Sequence, residues 1–107
     1  YTINEGPNET IGPHAFPIIL KPNQKFTRDQ FVGFLEKNDI ETRSLFLSMP
    51  TQCSGFGFLN YKLGDFPNAE YIGNNGLHIG VHQDIGNQEI EFLFTKIEEF
   101  LKNFKIR

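Results

Sequence analysis

The C-terminal end of the chain carries a repeat of apolar residues at helical spacing, and this repeat constrains the fold more than any other feature. Its members fall three or four positions apart and therefore line one side of a helix: Ile90, Leu93, Phe94, Ile97, Leu101 and Phe104. Glu89 and Glu91 lie near the predicted start, and Lys102 and Lys105 near the predicted end, where they complement the helix dipole. A helix with one apolar side must be covered by other elements, so the repeat predicts a layered domain.

The first half of the chain predicts a strand, a helix and a second strand. The apolar run 16–20 contains β-branched residues and indicates a buried strand. Thr27 and Gln30 form a capping-box pattern, in which each side chain satisfies a backbone N–H group at the start of a helix. Asn38 marks the predicted end of that helix. Residues 40–47 predict the second strand, although their alternation is imperfect.

The second half predicts a loop, a short helix and a third strand before the terminal helix. Residues 48–64 are rich in glycine and indicate a long loop. Asp65 is placed to cap the short helix and Pro67 to lie in its first turn. The run 73–76, Gly-Asn-Asn-Gly, is expected to end it early as a turn. Residues 77–81 alternate between apolar and polar, which predicts a half-buried strand.

The resulting order of elements, β-α-β-loop-α-β-α, is typical of a single α+β domain. We expect a small sheet of about three strands, mixed or antiparallel, with the helices mainly on one face. Residues 1–13 are rich in Gly, Pro and Asn without periodicity, so they predict a linker or irregular lead-in. Residues 14–107 then form the folded domain.

The composition argues against several classes of protein. A net charge of -3 without a basic cluster gives no electrostatic footprint for nucleic acid, and no apolar run is long enough to span a bilayer. The single Cys53 excludes an intramolecular disulfide and, with no signal-peptide pattern, suits the cytoplasm. The chain has 12 Phe and no Trp, so we expect some Phe side chains to pack on a surface outside it.

His78 and His82 are four residues apart, a spacing that binds a metal well on a helix. The alternation of residues 77–81 indicates a strand instead, where four residues span roughly 13 Å. One metal ion cannot bridge that distance, so we predict no metal site. The two histidines then lie on a polar strand face, and Gly80 between them leaves open a second interpretation, in which that face lines a ligand cleft.

Two interpretations are open for Arg43, and two for the pair Asn74 and Asn75. The guanidinium group of Arg43 can donate two parallel hydrogen bonds to a carboxylate or a phosphate. An exposed salt bridge is an equally simple role for an arginine at this position. The two asparagines, between glycines, are typical of a turn with left-handed backbone. Alternatively, their amides face a polar ligand where a helix meets a strand.

Several segments occur in the order of a known family: Pro13-His14-Ala15-Phe16-Pro17-Ile18, Asp39-Ile40-Glu41-Thr42-Arg43, Phe66-Pro67-Asn68-Ala69-Glu70, Gly76-Leu77-His78-Ile79-Gly80 and the closing amphipathic helix. With the helix predicted after Phe26, they cover nearly the whole chain from about residue 13 onward. This ordered set resembles the C-terminal small domain of the DegT/DnrJ/EryC1/StrS family, which comprises pyridoxal-phosphate-dependent (PLP-dependent) sugar aminotransferases and dehydrases.

The resemblance implies an enzyme of the aspartate-aminotransferase fold, usually a homodimer, that acts on a nucleotide-diphosphate keto-sugar with an amino donor. The lysine that holds PLP lies in the large N-terminal domain of such enzymes. The resemblance therefore implies no catalytic residue in this chain, and we expect the chain alone to be inactive. By position, it brings Arg43, Phe46, Asn75 and His78 towards the substrate.

The resemblance leaves the reaction open. Ser48-Met49-Pro50 stands where many aminotransferases resembling the perosamine synthases have a Pro-hydrophobic-His segment, and the Gly-Asn typical of the dehydrase branch is absent too. Our leading hypothesis is a nucleotide-sugar aminotransferase of lipopolysaccharide or deoxysugar biosynthesis. The first alternative is a sugar 3-dehydrase of the same fold, in which a His replaces the PLP-binding Lys. The second alternative is a non-catalytic α+β module that binds a small polar ligand.

Overall fold

A computed structural model of the chain describes residues 1–45 and 53–105. The described part contains three strands and three α-helices, with a short 3-10 helix, Ser54–Leu59, inside the predicted loop. In chain order they are β1 (Ala15–Ile19), α1 (Arg28–Lys37), β2 (Thr42–Ser44), α2 (Pro67–Asn75), β3 (Gly76–Gly80) and α3 (Asn87–Lys105). β2 is shorter than the predicted strand 40–47, whose last two residues lie outside the described ranges.

The three strands form one antiparallel sheet in the order β1-β3-β2, which confirms the predicted α+β class. In the central strand, Leu77 lies opposite Ile18 of β1, and Ile79 lies opposite Phe16. Leu77 and Ile79 are both buried, while His78 between them faces the other way. The sheet therefore has one apolar face, and this face carries the core.

α1 and α3 cover that face, as the sequence predicted. Phe31 and Leu35 from α1 and Phe100 from α3 are buried against Leu77. Phenylalanine rings fill the space between the two helices, and Phe100 lies 4.9–5.2 Å, centre to centre, from four of them: Phe26, Phe31, Phe34 and Phe104. Part of the high Phe content is thus explained within this domain.

The predicted apolar side of α3 was wrong at Ile90 and Phe94. These residues are 43% and 61% exposed, whereas Phe100, which the prediction did not include, is only 4% exposed. The buried stripe of α3 runs through Leu93, Ile97 and Phe100, and each residue turns the helix by about 100°. Phe94 consequently lies at the edge of the stripe and faces solvent.

The predicted start and end of α1 are confirmed. Thr27 accepts a hydrogen bond from the Gln30 N–H at 3.2 Å, and the Gln30 side chain accepts one from the Thr27 N–H at 2.9 Å. At the other end Asn38 is the C-cap, and its side-chain amide donates to the carbonyl of Phe34 at 2.8 Å. Both ends of α1 are therefore fixed by local polar contacts.

The predicted cap of α2 was wrong. Phe66, not Asp65, occupies the N-cap position, and it makes no side-chain capping bond. Asp65 instead accepts a hydrogen bond from the Lys62 N–H at 2.9 Å, which closes the turn before the helix. Pro67 is the first residue of α2, as predicted.

The turn predicted at residues 73–76 was also wrong, because α2 continues through Asn75 and is followed directly by β3. Neither Asn74 nor Asn75 has a positive φ. Two tertiary hydrogen bonds satisfy carbonyl groups in the last turn: Arg28 donates to Gly73 at 3.2 Å, and the Leu20 N–H donates to Asn75 at 3.0 Å. These partners offset the low helix propensity of the Gly-Asn-Asn run.

Residues 1–13 contain no helix or strand, yet the first of them are tied to the sheet. The N-terminal ammonium group of Tyr1 donates to the Ile19 carbonyl at 2.7 Å, and the Ile19 N–H donates to the Tyr1 carbonyl at 2.9 Å. The Thr2 hydroxyl donates to the Pro17 carbonyl. The linker role of residues 1–13 stays a prediction. Over the ranges the structure describes, no helix has the length and apolar character needed to cross a membrane.

Candidate functional site

A cavity of about 950 Å³ lies at one end of the sheet. It is bounded by the start of β1, the start of β2, the end of β3 and the first half of α3. Phe16 and Ile79 line it from the core side, while Arg43 and His78 line it from the opposite side of the sheet, so the cavity reaches round the sheet end. It thus combines an apolar wall with groups that can bind an anion or a hydroxyl.

Arg43 and His78 are direct partners across the β2–β3 pair. Pro17 lies opposite His78 on the other side, in β1. Because Leu77 and Ile79 face the core, this row of three residues lies on the far face of the sheet. Side chains of opposite partners begin about 5 Å apart, so the arginine and the histidine can contact one ligand together.

His78 is half-buried, and its Nδ1 atom is buried without a hydrogen-bond partner among the described residues. A buried ring nitrogen that lacks a partner costs about 1–3 kcal/mol, which a ligand hydroxyl or a water would recover. The ring of His14 lies 6.4 Å from the ring of His78, centre to centre. Two imidazoles therefore lie close together in the lining of the cavity, which Arg43 also lines.

Arg43 is largely exposed and makes a 3.0 Å ion pair with Glu41, which is equally exposed. The salt bridge expected as one interpretation of Arg43 is therefore present. The ion pair leaves hydrogen-bond donors of Arg43 unused, because it involves one terminal nitrogen, Nη2, and a guanidinium carries five N–H donors. The remaining donors suit a carboxylate or a phosphate.

Glu36 positions Arg43 by holding the start of β2 on the last turn of α1. Its Oε1 accepts hydrogen bonds from the Thr42 N–H at 3.1 Å and from the Thr42 hydroxyl at 2.8 Å. The bonds from the Thr42 side chain and backbone, together with the nearby charge of Arg43, lower the pKa of Glu36 below its ordinary value of 4.5. The carboxylate form is thus the one that fixes this corner.

The structure does not bring Asn75 to the cavity. Its side-chain amide donates to the carbonyl of Tyr71 at 3.0 Å, one turn back in α2, and it is not among the lining residues. Phe46 lies outside the described residues. Of the four residues predicted near the substrate, the structure therefore places Arg43 and His78 together.

His14 is a site residue that sequence reasoning missed, because it was assigned to the boundary of an irregular lead-in. The available signal was its position directly before β1, since the first pair of the β1–β3 register joins Ala15 to Gly80. An antiparallel register carries the residue before β1 to the end of β3, near His78. No group of three or more His, Cys, Asp or Glu in the described ranges is arranged to hold a metal ion.

Comparison with known proteins decides the family. The model of the DegT/DnrJ/EryC1/StrS aminotransferase family matches residues 2–98. The chain belongs to this family. The resemblance noted in the sequence is thereby confirmed, and members of the family are PLP-dependent sugar-modifying enzymes.

Two curated relatives in this family are similar to the chain. One is a dTDP-4-dehydro-2,6-dideoxy-D-glucose 3-dehydratase of Saccharopolyspora spinosa, 31% identical over 88 residues, covering 81% of this chain and 19% of the relative. The other is the lipopolysaccharide biosynthesis protein RfbH of Salmonella typhimurium, 30% identical over 87 residues, covering 80% of this chain and 20% of the relative. The chain thus spans about a fifth of each.

A solved structure in the family shares the fold. It is GDP-4-keto-6-deoxymannose-3-dehydratase with a trapped PLP-glutamate geminal diamine, with a TM-score of 0.62 and 28% sequence identity. The match covers 78% of this chain and 22% of that one. This likeness confirms the predicted architecture of an aspartate-aminotransferase-fold domain.

Among the described residues that line the cavity there is no lysine, so the cavity itself offers no amine to bond PLP. Arg43, His78 and His14 suit the recognition of a polar ligand instead. That residues outside this chain supply the main contacts of PLP stays a prediction.

Proposed function

We propose that the chain is the C-terminal domain of a PLP-dependent enzyme that removes the 3-hydroxyl group of a nucleotide-linked keto-sugar. The observation that carries the proposal is that two similar proteins, one curated and one solved, are named as 3-dehydratases of such sugars. The proposal includes a homodimer in the cytoplasm. It also includes a place in deoxysugar or lipopolysaccharide synthesis, and the name of the lipopolysaccharide biosynthesis protein RfbH supports this last part.

An aminotransferase is the second candidate. The sequence hypothesis placed it first, and the description of the family favours it. The names of the relatives move the dehydratase ahead. The two reactions differ in a residue outside this chain, since the resemblance implies a PLP-binding Lys in the aminotransferases and a His in its place in the dehydratases.

The deciding experiment uses the full reading frame that contains this chain. The purified protein is mixed with PLP, its visible spectrum is recorded, and borohydride reduction is followed by peptide mass spectrometry. We expect cofactor binding without a lysine adduct. An adduct on a lysine would establish the aminotransferase, and a protein that binds no PLP would leave the non-catalytic binding module.

Within this function, we propose that Arg43 and His78 contact the nucleotide-sugar. Arg43 brings free guanidinium donors that suit a phosphate, and His78 brings a buried ring nitrogen that lacks a partner. A hydrogen bond to a charged group contributes about 1.5–3 kcal/mol. Arg43→Ala in the full-length enzyme should therefore lower kcat/KM by roughly 10- to 100-fold.

The same substitution should leave stability nearly unchanged, because Arg43 is 73% exposed and pairs only with an exposed carboxylate in the described structure. Lys102→Ala removes another exposed cation, which lies near the end of α3 and outside the lining of the cavity, and serves as the control. Loss of thermal stability with unchanged kcat/KM in Arg43→Ala would reject the substrate role.

A further inference from the structure

The stretch between β2 and α2 carries an unusual amount of exposed apolar surface. Every residue from 54 to 68 is exposed. We call residues 54–66 the aromatic segment, because its large side chains are mostly aromatic and are 39–75% exposed: Phe56, Phe58, Leu59, Tyr61, Leu63 and Phe66. None of them packs against the described hydrophobic core.

Polar contacts hold the backbone of the aromatic segment in a defined shape. The N–H of Gly64 donates to both carboxylate oxygens of Glu70 in α2, each at 3.0 Å. The Asn60 N–H donates to the Gly57 carbonyl at 3.2 Å and ends the 3-10 helix with a left-handed residue. The segment therefore presents its side chains on a fixed frame anchored to α2.

The rings of the segment contact each other but leave their outer surfaces uncovered. Phe56 and Phe58 lie 6.4 Å apart, centre to centre, and Tyr61 and Phe66 lie 5.1 Å apart with their rings nearly perpendicular. The exposed fractions of the six side chains correspond to on the order of 600 Å² of mostly apolar surface. The largest apolar patch of an ordinary monomer is about 300–600 Å², so this surface is at the upper limit.

The segment is also poor in charge. Lys62 and Asp65 are its only charged residues, and they carry opposite signs. The centres of protein interfaces are depleted in charge and enriched in Tyr, Phe and Met. Composition and exposure therefore both indicate a surface that another protein surface covers.

We infer that the aromatic segment docks against the large N-terminal domain of the same polypeptide. This inference rests on the proposed function, which supplies that domain. The chain spans about a fifth of each relative, so most of the parent polypeptide lies outside the domain described. A tethered domain is held at millimolar effective concentration, so a modest apolar patch is sufficient to keep it docked.

The size of the surface favours this occupant over a second copy. A patch of about 600 Å² on one side buries roughly 1,200 Å² in total, which falls within the range for interfaces between domains of one chain. Obligate homodimers usually bury about 2,000–5,000 Å² or more. The aromatic segment alone is too small for that.

The test places single cysteines in the full-length protein and measures how fast a thiol reagent labels each one. Phe58→Cys reports on the aromatic segment, and Thr95→Cys is the control on α3. Phe58 is 75% exposed in the domain, and Thr95 is exposed and does not line the candidate cavity. Peptide mass spectrometry separates these sites from the native Cys53, and each rate is divided by the rate of the same cysteine in denaturant.

We expect Phe58→Cys to react at least about tenfold more slowly than Thr95→Cys after this correction. Equal rates would overturn the inference, and so would protection that disappears when a dimer is diluted to monomers, because that result assigns the surface to a second copy. Leu63→Cys, at a position that is 68% exposed, replaces Phe58→Cys if the latter fails to fold. The labelling rate does not depend on PLP, so protection without cofactor binding would refute the proposed reaction but not the docking.

Discussion

Gly76 joins α2 to β3, and the structure leaves no room there for a side chain. A Cβ atom added at Gly76 would lie 2.5 Å from the carbonyl oxygen of Ile72 and 2.5 Å from Cδ1 of Leu45. The backbone itself is not the obstacle, because Gly76 has φ -99° and ψ 149°, which any residue can adopt. Gly76→Ala therefore tests steric packing alone.

The cost of this substitution follows from which atoms can move. The Leu45 side chain is flexible and can turn away. The Ile72 carbonyl is a main-chain group that accepts the hydrogen bond from the Gly76 N–H, so moving it opens the last bond of α2. A lost backbone hydrogen bond costs about 0.5–1.5 kcal/mol, and overpacking costs about 1–3 kcal/mol. We expect Gly76→Ala to lower the free energy of unfolding by roughly 2 kcal/mol or more.

Urea denaturation followed by circular dichroism measures this loss, which should lower the midpoint by about 1 M or more. Gly80→Ala is the matched control in the same strand, since a Cβ atom there meets nothing within 4 Å. Removing a glycine also restricts the unfolded chain, so the control should be unchanged or more stable by up to about 1 kcal/mol. If the two variants had equal midpoints, the packing of α2 on Leu45 at this junction would be refuted.

Three further predictions concern the core, a helix cap and pH. Phe100→Ala should lower the free energy of unfolding by about 3–5 kcal/mol, whereas Phe94→Ala should change it by less than about 0.5 kcal/mol. Thr27→Ala should cost about 1 kcal/mol by removing the capping box, whereas Thr95→Ala inside α3 should cost nothing. The lowered pKa of Glu36 should stabilise the native state above pH 4.5, and this contribution should disappear as pH falls through the lowered value.

Each of these predictions has a result that contradicts it. Urea midpoints measured at pH 7 would refute the first two if Phe94→Ala lost as much as Phe100→Ala, or if Thr27→Ala matched the wild type. For the third, stability is measured against pH for the wild type and for Glu36→Gln, which cannot ionise. A difference between the two proteins that grows on acidification would have the wrong sign and would reject the role of the carboxylate.

Sequence reasoning succeeded where the signal is local. The capping box of Thr27 depends on residues three apart, and the alternation around His78 depends on neighbours. It failed at residues 73–76, where hydrogen bonds from Arg28 and Leu20 extend a helix that local propensity would end. It also predicted Phe94 on the buried side of α3 and left out Phe100, because which side of a helix is buried depends on where the neighbouring elements lie.

The candidate site shows the same limit. Arg43 and His78 were predicted as site residues for separate reasons. The guanidinium group of Arg43 suits an anion, and His78 lies on the polar face of a predicted strand. Their adjacency depends on the register of two strands that are far apart in sequence, which no local pattern encodes. His14 joins them through the register of the other strand pair, and it was missed for that reason.

The order β1-β3-β2 has a consequence for how this domain folds. The central strand is the last of the three to leave the ribosome, so β1 and β2 have no partner until β3 is made. Each must wait as an unpaired edge, and β1 waits through roughly 60 residues of synthesis. Both pairings close long loops, so we expect sheet formation to be slow and to follow the local formation of α1. A nascent chain stalled before Gly76 can contain helices but cannot contain this sheet.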